Sequence, residues 1–159
     1  MKLIIHRGSH EVGGNCVEVS HEESRIILDI GLPLNFDKND DNNDVLPQPL
    51  FNDIIQGNKH VNGIFLSHPH LDHYGLIGSL PKDIPVYCGS STVKLMKLTA
   101  LMNPNIQVSD RLRNFKSFDQ IEIGKLKVTP HLMDHSAFDS YAFLIETNKK
   151  NIFYTGDYR

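Results

Sequence analysis

Apolar positions in this chain fall in short runs, either alternating with polar residues or continuous over four to seven positions, which is strand patterning. KLII at 2–5 opens the chain as a first strand, and Gly8, Gly13 and Gly14 mark a turn. NCVEVS at 15–20 alternates, and RIILDIG at 25–31 is a continuous apolar strand ending in Asp29, Ile30 and Gly31. VNGIFLS at 61–67, IPVYCG at 84–89, YAFLIET at 141–147 and NIFYTGD at 151–157 read the same way. QIEIG and KLKVTPHLM form a hairpin around Gly124, and NKKN at 148–151 makes a further turn.

Helical signals are fewer. Residues 90–102 carry a longer apolar spacing behind Ser and Thr that suit its start. A short helix is expected at 74–80, stopped by Pro81, and another at 51–56. The stretch 34–52 is rich in Asn, Asp and Pro and reads as a long exposed loop. Strands dominate, there is no internal repeat or linker, and the expectation is one α/β (α+β) sandwich over residues 1–159, a pair of sheets with helices outside.

Composition adds little to this and removes several classes. At 159 residues with 40% hydrophobic and 22% charged positions, the chain can bury one core. A net charge of −3 is not that of a strongly basic nucleic-acid-binding domain, so a polyanion would need a local patch or metal to hold it. Cys16 and Cys88 lie in apolar strands without CxxC spacing and read as buried free thiols. The first apolar run is too short for a signal segment or a membrane span, so a soluble, cytoplasmic protein with no membrane partner is the default expectation.

The chemistry lies in the histidines, of which there are nine. His68, His70, Asp72 and His73 place four ligand-type side chains in six residues directly after a buried strand. His68 and His70 alternate along an extended segment, and Asp72 and His73 follow where a helix begins. That geometry suits two adjacent metals, with the first pair on one and the second pair on the other. Imidazole and carboxylate suit zinc, with manganese or iron as alternatives. Two further strand ends supply what such a site still lacks: His135 in the loop of MDHSAFDSYAF, and Asp157 after FYTG, whose two oxygens can bridge two metals.

The plain alternative for His135 taken alone is an ordinary loop residue, beside which Asp134 or Asp139 can cap a turn. Asp29 reads equally well as a carboxylate holding a ligand histidine in one tautomer or as a plain turn residue ahead of Gly31. His6, His10, His21, His60 and His131 have no ligand spacing, with His10 alone near enough to a glycine turn to reach a site rim. Asp37 to Asp44 imitates a calcium loop, but Gly is missing at its sixth place and Gln48 stands at its twelfth.

HxHxDH, met here by His68, His70, Asp72 and His73, is the signature of the metallo-β-lactamase superfamily, which the chain resembles throughout its length. Three segments, HRGSHEVGGNC, TPHLMDHSAFDSYAF and FYTGDYR, resemble more narrowly the ribonuclease J-like, β-CASP branch of RNA-processing nucleases. The resemblance implies an αββα sandwich with two zinc ions: His68, His70 and His135 on one, Asp72 and His73 on the other, and Asp157 bridging. It implies RNA as substrate, hydrolysed by metal-activated water, with Asp72 orienting the nucleophile and accepting its proton. Family members continue beyond TGD, so the chain resembles the N-terminal half of such a domain. That leaves the leaving-group acid outside it, and exposed apolar surface is expected to favour self-association or completion by further chain. Two other readings remain open: a hydrolase of small thioesters, lactones or phosphodiesters using the same metals, and a metal-holding module without catalysis. A flavo-diiron role fits less well, because that branch wants Glu at the position of His70.

Overall fold

The computed structural model describes residues 1–36, 47–57, 60–103, 108 and 111–159. The Asp37 to Asp44 reading lies outside the described residues. Among the described residues, ten strands form two sheets. The first has the order β1 (Lys2–Arg7), β2 (Cys16–His21), β3 (Ser24–Leu28), β4 (Gly63–Phe65), β5 (Val86–Gly89) and β6 (Leu112–Phe115). β1, β2 and β3 pair antiparallel, whereas β3 to β6 are parallel. The second sheet is antiparallel, in the order β10 (Asn151–Tyr154), β9 (Tyr141–Glu146), β8 (Leu126–Leu132) and β7 (Ile121–Ile123).

Alternation along the strands sorts the side chains into two cores. Val17, Val19, Ile26, Leu28 and Phe65 of the first sheet meet Leu126, Val128, Phe143 and Ile145 of the second. Phe65 stacks on Tyr87 at 4.7 Å between ring centroids and meets Phe143 edge-on at 5.7 Å. The opposite face of the first sheet, through Cys16, Ile27, Ile64 and Cys88, packs on the helices α1 (Leu50–Ile55), α2 (Leu71–Tyr74) and α3 (Ser90–Met102). β3 is therefore buried on both faces, which is why Ile26, Ile27 and Leu28 follow one another without a polar break. Cys16 and Cys88 are buried free thiols, as read, and burial pushes Cys88 up to about 12. No helix among the described residues is long and apolar enough to cross a membrane.

Three elements differ from expectation. In place of one helix over 74–80 there are α2, which begins three residues earlier at Leu71, and a separate 3₁₀ turn at Ile77–Ser79. The earlier start follows from His70, extended at φ −90° and ψ 143°, whose carbonyl accepts the N–H of both His73 and Tyr74. RLRNF also forms a strand, β6, although its periodicity is weak, because the parallel register with β5 supplies its hydrogen bonds. Finally, no Ser or Thr side chain caps α3, whose N-cap is Gly89.

Candidate metal centre

Strand register assembles the site. Because β3 and β4 are parallel with Leu28 beside Phe65, the residues that follow them, Asp29 and Leu66 to His68, emerge side by side at the same sheet edge. In the second sheet β8 and β10 both run antiparallel to β9, so their last residues, Leu132 and Tyr154, also reach a common edge. Tyr141 N–H donates to Ser67 O at 2.8 Å and joins the two edges. The loop bearing His135 and the TGD turn thereby face the HPHLDH segment.

Four histidine rings converge there. His68 lies 3.9 Å from His73, 4.6 Å from His70 and 4.7 Å from His135 between centroids. Two sets of donor atoms lie within 4.8 Å of one another, His68, His70 and His135 in one, and His68, His73 and Asp157 in the other. Asp157 spans the two groups: one carboxylate oxygen is 3.5 Å from His73 Nε2 and the other 3.8 Å from His135 Nε2. Asp72 stands at the margin, its Oδ2 3.8 Å from His73 Nε2, and belongs to neither trio. The six residues expected as ligands are thus brought together, with His68 shared between groups rather than confined to the first.

Asp29 lies beneath them, completely buried. Its carboxylate accepts Ser67 N–H at 2.7 Å, Ser67 Oγ–H at 2.7 Å, His73 Nδ1–H at 2.8 Å and Tyr154 Oη–H at 2.7 Å. Ser67 Oγ in turn accepts His68 Nδ1–H at 3.0 Å. Both rings therefore carry their protons on Nδ1, pointing inward, and present Nε2 to the site. Burial opposes ionisation of Asp29, but the His73 charge and these hydrogen bonds outweigh it and hold the carboxyl below its ordinary value. Sequence reasoning left Asp29 undecided and missed Ser67 and Tyr154. Ser67 directly precedes His68 and Tyr154 directly precedes TGD, but only the folded chain shows that they share Asp29. Asn15 was also missed: its Nδ2 is 3.2 Å from His73 Nε2, and its backbone N–H donates to Asp72 O at 3.1 Å.

The electrostatics favour a cation. Burial, then the neighbouring imidazoles, drive His68 down to about 3, and burial also lowers His70. Both rings are neutral at pH 7, with His68 Nε2 and His70 Nδ1 only 3.0 Å apart. Burial alone would lower His73 as well, but Asp29, Asp157 and Asp72 together raise it. Three carboxylates that attract a proton to one ring, beside two neutral rings with converging nitrogens, are a donor set that fits divalent metal ions.

The remaining histidines stay apart. His6 bonds Glu18 at 2.8 Å, His21 the chain's N-terminal ammonium at 3.2 Å, and His131 packs between Phe118 and Phe153. His10 and His60 are exposed.

A two-sheet layer with helices on the first sheet and a His/Asp cluster at the shared edge defines a class, and the chain belongs to it: residues 40–159 match the beta-lactamase superfamily domain. Within that family, the chain is 32% identical over 161 residues to ribonuclease J 2 of Streptococcus pyogenes, an alignment covering 100% of this chain and 29% of that protein. It is 26% identical over 160 residues to ribonuclease J of Mycoplasma genitalium, covering 99% and 28%. The chain thus spans under a third of the length of either relative. Among solved structures, a protein of unknown function from Enterococcus faecalis superposes with a TM-score of 0.81 at 27% identity, over 99% of this chain and 43% of that one. A subclass B3 metallo-beta-lactamase from a soil metagenome superposes at 0.63 and 18% identity, over 89% and 55%, which shows the shared fold.

Proposed function

We propose that this chain carries the metal-binding part of a zinc-dependent hydrolase that cleaves RNA phosphodiester bonds. The observation that carries the reading is the pair of donor trios sharing His68 and spanned by Asp157. The first trio, His68, His70 and His135, would hold one zinc ion; His73, with Asp72 from the margin of the cluster, would hold a second, and Asp157, which faces both His73 and His135, would serve the two. Bound there, the ions supply Lewis acidity toward a phosphoryl oxygen and acidify water to a nucleophile at neutral pH.

The chain's own residues do the rest. Asp29 and Ser67 hold the Nδ1–H groups of His73 and His68 inward, so that both rings turn Nε2 toward the site. Asp72, with one oxygen at the edge of the cluster and its side chain a fifth exposed, orients the attacking water and accepts its proton. RNA as the substrate is supported by similarity along the whole chain to proteins named ribonuclease J.

The test is elemental analysis of the purified protein, followed by assays on a single-stranded RNA oligonucleotide, a small phosphodiester and a thioester. The expected result is about two zinc ions per chain and RNA cleavage that a chelator stops and zinc or manganese restores. Cleavage of the thioester alone would replace RNA by a small-molecule substrate. Cleavage insensitive to chelator would overturn the metal mechanism.

A further inference from the structure

His135 is held differently from His68 and His73. His68 and His73 each have an inward ring nitrogen fixed by a buried partner. Among the described residues, the side-chain hydrogen bond of His135 is a single contact with Ser136 Oγ at 3.4 Å, too long to orient a ring. The place of His135 therefore depends on the path of its loop, residues 133–140, which sets its ring against His68 and its Nε2 3.8 Å from Asp157.

That loop is gripped at Asp139. Asp139 Oδ2 accepts the N–H of Ser91 at 2.8 Å and of Thr92 at 2.7 Å, both in the first turn of α3. Its Oδ1 accepts Tyr141 Oη–H at 2.9 Å, and its carbonyl accepts Thr92 Oγ1–H at 3.2 Å. α3 has no acidic residue in its first turn and no cap from its own side chains, so a carboxylate from the second sheet's loop serves the free N–H groups and the positive end of the helix. Asp139 adopts φ +70°, a left-handed conformation that costs energy in a non-glycine residue and persists because these four bonds define it. β5 makes room for it: a Cβ at Gly89 would lie 2.2 Å from Asp139 Oδ2 and 2.7 Å from Tyr141 Cε2. The other end of the loop closes on itself, with Met133 N–H on Ser140 O at 2.9 Å and Ser140 Oγ–H on Ala137 O at 2.8 Å.

We propose that Asp139 is the positioning residue for His135: by clamping the loop of the second sheet to the helix of the first, it sets the third imidazole against His68 and His70. The inference rests on the reading of His135 as a metal ligand. Removing the clamp leaves the ligand in the sequence but not in place, so metal affinity falls without loss of any donor atom. Asn at 139 keeps the arrangement, since its oxygen can accept both helix N–H groups while its amide donates to Tyr141 Oη.

Cobalt(II) titration followed by visible absorption tests this on the wild type, His135→Ala, Asp139→Ala and Asp139→Asn, with urea melts of each. The expected outcome is one ion lost in His135→Ala, the same ion weakened about 10- to 100-fold in Asp139→Ala with an altered cobalt spectrum, and near wild-type behaviour in Asp139→Asn. If His135→Ala titrates like the wild type, the ligand reading falls and the positioning role with it. If His135→Ala loses an ion while Asp139→Ala binds normally, only the positioning role falls, whatever the melts show. Should Asp139→Ala fail to fold, Asp139→Glu keeps the charge but displaces the loop by a methylene. Weakened cobalt binding is expected there too, and unchanged binding overturns the proposal.

Discussion

Asp29 Oδ2 lies 2.8 Å from His73 Nδ1, with both side chains fully buried. The pair is the base of the cluster, and it also ties the sheets together, because Tyr154 at the end of β10 donates to the same carboxylate oxygen. Asp29 sits at φ +56°, so the strand end is bent into a left-handed conformation to aim the carboxylate beneath the histidines.

Replacing Asp29 by Ala removes the acceptor of all four donors, His73 Nδ1–H among them. Metal affinity is expected to fall about 10- to 100-fold, because the His73 tautomer is no longer fixed. Stability should also drop by roughly 3 kcal/mol, as for other broken buried charge networks. Isothermal titration with zinc and urea denaturation measure the two effects separately, and wild-type affinity would remove Asp29 from the site.

Asp72→Ala is expected to lower RNA hydrolysis at least about 100-fold while moving stability by less than about 1 kcal/mol. Its backbone, not its carboxylate, carries the local structure: Asp72 O accepts Asn15 N–H. Gly31→Ala should instead lower stability and activity together, since its Cβ would fall 1.5 Å from Asp72 O and force the whole HPHLDH turn to move. Activity assays beside denaturation curves for the two variants separate chemistry from scaffold.

Glu18 is buried against His6 and Arg25, with oxygen–nitrogen distances of 2.8 and 2.9 Å. Burial would raise its carboxyl, but those hydrogen bonds and the Arg25 charge outweigh it and bring the group down from 4.5 to about 2. Ionised Glu18 therefore stabilises the fold fully above about pH 4.5, and that contribution disappears as the pH falls toward 2. Thermal melts in chelator should show the wild type losing stability over this window more steeply than Glu18→Gln. Parallel curves would mean that the pair contributes nothing.

Phe65→Ala removes the ring on which Tyr87 stacks and which Phe143 meets edge-on, in the middle of the inter-sheet core. A loss of about 3–5 kcal/mol is expected from urea denaturation. A loss below about 1 kcal/mol would show that the two sheets do not depend on this contact.

Much of this protein was legible before folding was considered. Strand runs, the 90–102 helix and the hairpin at Gly124 follow from side-chain periodicity, which is set by which face of each element is buried. HPHLDH, His135 and Asp157 stood out because ligand-type residues at strand ends have no packing reason to recur. Periodicity could not locate the start of α2, which the extended His70 decides, nor β6, whose hydrogen bonds come from β5.

Nor could it show that Asp29, Ser67 and Tyr154 form one network, or that Asp139 caps a helix 47 residues earlier in the chain. Local sequence determines which residues alternate, turn or bind; which of them meet is decided by parallel and antiparallel register across two sheets. Hydrogen bonds between residues far apart in the chain leave no trace in the spacing of either.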